Sequence, residues 1–394
     1  MQTRRCRVEI CTRALEDNYR FLKSLAAPDV ELLAVVKADA YGHSLALCAP
    51  AVVRAGASWL GVTGVEEGVA ARSLCPQVRV MVMAGMVPGQ GAAVVDHGLT
   101  AVVWEPGQLD DLEKAAHGAG LRAGSLPVHL EIDTGMSRQG ASLENLAMLL
   151  ARFVPESPLK LEGVMTHLFG ADETDGQANQ TQLARLQEAL GRVEAAGLYP
   201  DWLSVGSSAS LLAAQGTIAA LAARHGMRAM LRPGLALYGV VPRFDPPFES
   251  GEPAALASAR SQLQPVLTWK TAVTSVRAVP AGAVVGYNGT FVATEPMRLA
   301  LVTAGYADGL DRRLGNRFSL LVRGERAPLV GRVSMDHAVL DVTEIAGVEG
   351  GDEVVILGRQ RDESITAYDL ADASGTLPWE VLTRIGARVP RVAV

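Results

Sequence analysis

The stretch Leu32-Leu33-Ala34-Val35-Val36-Lys37-Ala38-Asp39-Ala40-Tyr41-Gly42-His43 carries five apolar residues straight into a lysine and a polar turn. An apolar run without alternation is what a strand buried on both faces requires. The pattern recurs. Including residues 32–36, such runs fall at 59–62, 79–83, 100–103, 127–132, 161–166, 202–205 and 230–232. Between them lie Ala/Leu-rich segments such as 143–153 and 181–196, where Gln182, Leu183, Leu186, Ala189, Leu190 and Val193 mix in helical spacing. Strands alternating with helices imply βα units and a parallel sheet. Eight units within about 230 residues match the size of a closed (β/α)8 barrel. A doubly wound open sheet is the competing arrangement.

After Tyr238-Gly239-Val240 the texture changes. Phe244-Asp245-Pro246-Pro247-Phe248 and the Ala/Ser-rich residues 250–261 read as a linker. Beyond it, β-like runs at 266–277, 298–303, 319–322, 338–342 and 353–357 are separated by glycine turns. The expectation is an α/β chain: a TIM-like barrel over residues 1–241, then a mostly-β domain over 242–394.

Composition narrows the function. Of 394 residues, 49% are hydrophobic and 20% charged, enough for a full core. The net charge of −6 argues against a broad surface for nucleic acid or anionic membrane. Residues 202–223 lack charge over a length that could span a bilayer, but Ser204, Gly206, Ser207, Ser208, Ser210, Gln215 and Gly216 fit a strand, a turn and a buried helix better. Cys6, Cys11, Cys48 and Cys75 form no C-x-x-C pair and no zinc spacing, so they read as reduced thiols, and no metal site is expected. The residues after Met1 contain no apolar signal segment. A cytoplasmic protein is expected.

In such a barrel the chemistry sits at the C-terminal ends of the strands. Lys37, one of only five lysines, follows the first run directly. Burial there disfavours its ammonium form and frees the amine for Schiff-base chemistry, unless it simply caps the strand end with a carboxylate such as Asp39. The fifth run leads into Asp133-Thr134-Gly135-Met136-Ser137-Arg138, and the sixth ends at His167, which alone would more often be structural. After the seventh, Gly206-Ser207-Ser208-Ala209-Ser210 fails the G-x-S-x-G nucleophile pattern but suits a phosphate. Arg232-Pro233-Gly234 follows the eighth. A lysine, a phosphate cradle, a rim histidine and two arginines together suggest a phosphorylated aldehyde cofactor, pyridoxal phosphate.

At these residues the sequence resembles the alanine racemase family over nearly the whole chain. The matching stretches are residues 34–43, 133–138, Arg232-Pro233-Gly234-Leu235-Ala236-Leu237-Tyr238-Gly239, Gly305-Tyr306-Ala307-Asp308-Gly309, Gly331-Arg332-Val333-Ser334-Met335-Asp336 and Arg388-Val389-Pro390-Arg391. The resemblance implies a homodimer with shared active sites, and pyridoxal phosphate linked to Lys37. It implies two bases, Lys37 and the partner's Tyr306, that interconvert L- and D-alanine for peptidoglycan precursors. Arg232 would face the cofactor's pyridine nitrogen. Tyr41, Ser207, Ser208 and Gly234 would hold the phosphate, and His167 and Tyr238 would also line the cofactor. Arg138, Met335 and Asp336 would bind substrate, the last two from the partner. Tyr287, in Gly286-Tyr287-Asn288-Gly289, reads as a hairpin residue in preference to a substrate-entry residue.

Two departures from the family pattern stand out. Glu131 occupies a position where many relatives carry a carbamylated lysine, which implies that Glu131 supplies the carboxylate for Arg138, directly or through water. Ala387 aligns with a phosphate-contacting tyrosine of some relatives. Two alternatives stay open: a racemase acting on serine or a broader set of amino acids, and a non-catalytic pyridoxal-phosphate barrel. The 305–309 stretch argues against the second.

Overall fold

In the computed structural model of the chain, which describes residues 6–174, 176–249 and 251–394, two compact units are present. One comprises Arg13–Ala40 and Cys48–Gln264; the other comprises residues 6–12, Tyr41–Leu47 and Pro265–Val394.

The chain begins with β1 (Arg7–Ile10), which lies outside the barrel. The barrel itself is eight parallel strands: β2 (Glu31–Val35), β3 (Trp59–Val62), β4 (Arg79–Val82), β5 (Thr100–Val103), β6 (Leu126–Glu131), β7 (Leu159–Met165), β8 (Trp202–Ser204) and β9 (Arg228–Leu231). β2 pairs with both β3 and β9, which closes the ring and excludes the open doubly wound sheet. Each strand overlaps one of the eight apolar runs. The reason is the one that made them visible: Leu32, Leu33, Val80, Met81, Val102, Leu130, Val164, Leu203 and Leu231 are all buried. Helices cover the outside, and Gln177–Ala195 turns Leu186, Ala189, Leu190 and Val193 inward.

The Ala/Ser-rich segment taken as linker contains an α-helix, Ala254–Gln262, with Leu256 and Ala259 buried three residues apart on one face. So few apolar anchors disappear into a composition that resembles a loop.

In the second unit β10 (Leu267–Val279) is the spine. It pairs with β1, with β13 (Met297–Val302) and with β17 (Glu353–Gln360). The nine-stranded sheet is completed by β14 (Ser319–Val322), β15 (Glu325–Pro328), β16 (Ala338–Asp341), β18 (Glu363–Ile365) and β19 (Arg391–Ala393). A separate ribbon joins β11 (Val284–Val285) to β12 (Phe291–Val292), with Tyr287 exposed at its turn. Two α-helices, Ala367–Ser374 and Pro378–Thr383, add to a unit that is mostly strands. The Thr366 hydroxyl caps the first by accepting from the Asp369 N–H.

Among the described residues no helix is long and apolar enough to cross a membrane. The uncharged stretch 202–223 resolves into β8 and two helices, Ser208–Ala213 and Gln215–Arg224.

Candidate active site

Lys37 opens the turn after β2, half-buried at the C-terminal end of the barrel. The turn is left-handed. Ala38, Asp39 and Ala40 have φ/ψ near 51/52, 52/49 and 56/50°, and Tyr41 has φ 54°. None is glycine, and a left-handed helical residue with a Cβ costs roughly 1–2 kcal/mol. Four in succession require outside support. The Ala40 N–H donates to the Val36 carbonyl at 2.9 Å, and the Ala38 N–H donates to Glu67 Oε1 at 2.7 Å. Tyr41 is buried, which pushes its phenol up to about 12.

Arg232, just past β9, is buried and held on three sides. Its Nη1 donates to the Ser204 hydroxyl at 2.9 Å, and its Nη2 donates to the Thr166 carbonyl at 2.9 Å and to His167 Nδ1 at 3.2 Å. A guanidinium only donates, so His167 Nδ1 must be the bare nitrogen and the ring is neutral with its proton on Nε2. Burial, and then the charges of Arg232, Arg138 and Lys37, push the imidazole down to about 3.

A buried glutamine that the sequence reading missed fixes His167 and the β6 loop together. Gln182 Nε2 donates to the His167 carbonyl and to the Thr134 hydroxyl, each at 3.0 Å, while its Oε1 accepts from the Phe169 N–H. Its only sequence signal was a polar residue on the buried face of a helix.

Glu131, the last residue of β6, is buried. Its Oε2 accepts from Gln139 Nε2 at 2.6 Å, and Gln139 also donates to the Met83 carbonyl. Burial raises the Glu131 carboxyl above its ordinary range, while the Gln139 hydrogen bond and the charges of Arg232 and Arg138 oppose that rise. The residue bound to Glu131 is therefore Gln139; Arg138, exposed on the same loop, acts on it through its charge.

Lys37, Arg138, Arg232, His167 and Glu131 thus share one electrostatic neighbourhood. Burial lowers the Lys37 pKa, the Arg138 and Arg232 charges lower it further, and Glu67 opposes them. Three cationic groups stand near the Glu131, Glu67 and Asp133 carboxylates, and the amine and guanidinium donors are what an anionic ligand could use. At the next rim position the Ser208 hydroxyl accepts from the Gly234 and Ala236 N–H groups at 3.1 Å each, so its own proton is left to donate. Ser207 precedes it at the helix start, its N–H donating to the Ser210 hydroxyl. The Tyr238 hydroxyl donates to the Val35 carbonyl at 3.0 Å, tying the segment after β9 to the strand that carries Lys37.

The second unit gathers the other candidates. Tyr306, 44% exposed, and Met335, also exposed, come from two turns laid back to back. The Tyr306 N–H donates to the Ser334 carbonyl and the Ala307 N–H to the Met335 carbonyl, each at 3.0 Å. The approach is so close that a Cβ on Gly305 would stand 2.2 Å from the Met335 carbonyl oxygen. Asp308 locks the arrangement. It is fully buried, accepts from the Gly305 N–H at 3.0 Å and takes two hydrogen bonds from Arg388 at 2.8 and 3.0 Å. Arg388 also pairs with Asp336 at 2.8 Å. Ala387 lies beside this arginine, in the turn between the last helix and β19.

No cluster of His, Cys, Asp and Glu among the described residues could hold a metal ion.

Comparison with known proteins agrees with this layout. Residues 10–242 match the family described as alanine racemase, N-terminal domain, and residues 266–393 match alanine racemase, C-terminal domain. A protein of Nostoc sp. named alanine racemase is 34% identical, covering 100% of this chain and 96% of its own. The crystal structure of alanine racemase from D-cycloserine producing Streptomyces lavendulae superimposes with a TM-score of 0.88 at 35% identity, over 100% of this chain and 98% of the other. That of Bartonella henselae alanine racemase, with covalently bound pyridoxal phosphate, gives a TM-score of 0.82 at 27% identity over 99% of each chain. With both domains matched in order and relatives aligned end to end, the chain belongs to the alanine racemase family, a family of isomerases.

Proposed function

We propose that the chain interconverts L- and D-alanine with pyridoxal phosphate attached to Lys37, as a cytoplasmic homodimer that supplies D-alanine for peptidoglycan. The carrying observation is Lys37 itself, an amine held below its ordinary pKa by burial and two arginines at the C-terminal end of a barrel strand. That environment keeps a reactive fraction of neutral amine, which attachment to an aldehyde needs. The residues present fit such a ligand, since phosphate, phenolate oxygen and substrate carboxylate are all anionic and Lys37, Arg138, Arg232 and the Ser208 hydroxyl offer donors to them. Ser207, Ser208 and the Gly234 backbone, with Tyr41 four residues after the lysine, would hold the phosphate. Arg138 would hold the phenolic oxygen and the substrate carboxylate. When bound, the cofactor supplies an electron sink that acidifies the Cα proton of an attached amino acid.

The rest is done by the chain. Racemisation removes a proton from one side of Cα and returns one to the other, so two bases suffice without turning the substrate over. Lys37 takes one side and the partner subunit's Tyr306 the other; Tyr306 is exposed on its own unit, where a second subunit can reach it. Asp308 and Arg388 hold the Tyr306 turn, and Asp336 acts through Arg388. With the cofactor bound, Arg232 would face the ring nitrogen; a guanidinium does not give up its proton, so it would leave that nitrogen unprotonated and favour simple reprotonation over transamination. His167, neutral and fixed by Arg232 and Gln182, lines the same end of the barrel.

The test is incubation of the purified protein with L-alanine and, separately, L-serine, followed by chiral analysis. The expected result is conversion of L-alanine toward an equal mixture, with borohydride reduction fixing the cofactor's mass on Lys37. Faster conversion of serine would transfer the assignment to a serine racemase. No D-product from any L-amino acid would end the racemase reading.

A further inference from the structure

Glu67 sits in the first turn of the helix Val65–Leu74 that follows β3, beside the turn that carries Lys37. Its two carboxylate oxygens serve different segments. Oε2 accepts from the Thr63 N–H at 2.8 Å, which anchors the start of its own helix. Oε1 accepts from the Ala38 N–H at 2.7 Å, twenty-nine residues earlier in the chain. Ala38 is the first of the four left-handed residues, and its N–H is the backbone donor next to the lysine. The left-handed backbone is intrinsically unfavourable, so the direction in which Lys37 leaves β2 depends on what fixes this amide. Within the barrel unit, β2 and β3 are neighbours, and the Val36 N–H donating to the Gly61 carbonyl at 2.8 Å prolongs their ladder up to the turn. The carboxylate continues that bridge one step beyond where backbone pairing can go. Glu66, the adjacent carboxylate, points elsewhere and accepts from Gln90 at 2.8 Å.

We propose that Glu67 is a positioning residue for Lys37, its carboxylate bridging the Ala38 and Thr63 amides so that the left-handed turn presents the lysine for covalent attachment. The proposal rests on Lys37 being the attachment residue. A glutamine has the same shape but only one accepting atom, so it can satisfy one amide and must turn an NH2 group toward the other. A hydrogen bond to a charged acceptor is also stronger than one to an amide.

The experiment compares wild type, Glu67→Gln, Glu67→Asp and the control Glu66→Gln, each stripped of cofactor with hydroxylamine. Hydrogen exchange of the peptide covering residues 37–44 and the half-saturating concentration of added pyridoxal phosphate are measured for all four, with melting temperatures alongside. In Glu67→Gln the peptide should exchange faster and half-saturation should rise about tenfold, the loss of one charge-assisted hydrogen bond. Glu66→Gln removes the same charge from the same helical turn and should match wild type in both. Glu67→Asp, whose shorter arm cannot span both amides, should resemble Glu67→Gln and not wild type. If Glu67→Gln binds and exchanges like wild type, or if Glu66→Gln shows the same loss, the positioning role is refuted. If Glu67→Gln does not fold, Glu67→Asp decides by the same two readouts. Wild-type protein that takes up no cofactor on Lys37 would refute the functional reading instead, and the two failures are thereby told apart.

Discussion

Replacing Glu162 with glutamine should weaken the barrel without touching its chemistry. Arg79 opens β4 and Glu162 is the middle residue of β7, and neither acts on Lys37 electrostatically. Their guanidinium and carboxylate make two hydrogen bonds, at 2.8 and 2.6 Å, and the Arg79 guanidinium lies 3.8 Å over the Trp59 ring. Trp59 in turn packs edge-on against Trp202 and His129. Such a cluster inside the barrel serves stability, because catalytic groups collect at the C-terminal ends of the strands.

Burial raises the Glu162 carboxyl, but His129 close by and the two hydrogen bonds and charge of Arg79 outweigh that and hold it at about 2 instead of 4.5. His129 stands 3.5 Å away, yet burial keeps it below its own ordinary value, so it is neutral at pH 7 and Arg79 carries most of the effect. Such a depression is worth at most ~3 kcal/mol at pH 7. The Arg79 side chain is 38% exposed, so water screens part of it, and a loss of ~1–3 kcal/mol is expected for Glu162→Gln. The sign follows from the lowered pKa. The contribution is complete above pH 4.5, where the unfolded carboxyl is ionised, and disappears as pH falls toward 2. At pH 3 roughly 40% of it remains. Urea unfolding followed by tryptophan fluorescence, at pH 7 and pH 3, measures the gap between wild type and variant. A gap that is equal at the two pH values, or absent at pH 7, refutes the reasoning. Racemisation at pH 7 should change by less than about twofold.

Three other outcomes follow from the site. Tyr306→Phe should slow one direction of racemisation more than the other, read as an α-deuterium isotope effect that differs between L- and D-alanine; equal effects would remove Tyr306 as one of two bases. Arg388→Met takes from the fully buried Asp308 carboxylate the two guanidinium hydrogen bonds it accepts; with Arg388 partly exposed, it should cost ~1–3 kcal/mol in the C-terminal unit and lower kcat more than it raises KM, as checked by thermal unfolding and steady-state kinetics. Gly305→Ala must push the two turns apart, since its Cβ would sit 2.2 Å from the Met335 carbonyl oxygen, so kcat should fall by at least about tenfold with a folded protein by circular dichroism.

The sequence showed what is written in side chains and hid what is written in backbone. Eight barrel strands were legible because burial on both faces leaves continuous apolar runs. β1 was not, because Val8 and Ile10 are buried while Arg7 and Glu9 are only partly so; four alternating residues read as nothing until β10 and β19 stand on either side. The same divide runs through the site. Lys37, Arg138, His167, Arg232 and Tyr306 are residue types whose chemistry announces itself at the end of an apolar run or in a dense motif. Glu67, Gln182 and the Asp308–Arg388 pair act on amides, carbonyls and each other across 15 to 80 positions, through groups that nearly every residue supplies. A carboxylate in the first turn of a helix needs no explanation beyond the helix itself, so Glu67 gave no sign of a second partner. The cost of four left-handed residues is equally silent, because Ala38, Asp39, Ala40 and Tyr41 carry none of the glycine that would mark it. Strain of that kind persists only where surrounding bonds over-determine it. It follows that in this chain the groups proposed to react can be read from composition and order, whereas the groups proposed to aim Lys37 become visible only once β2 and β3 are side by side.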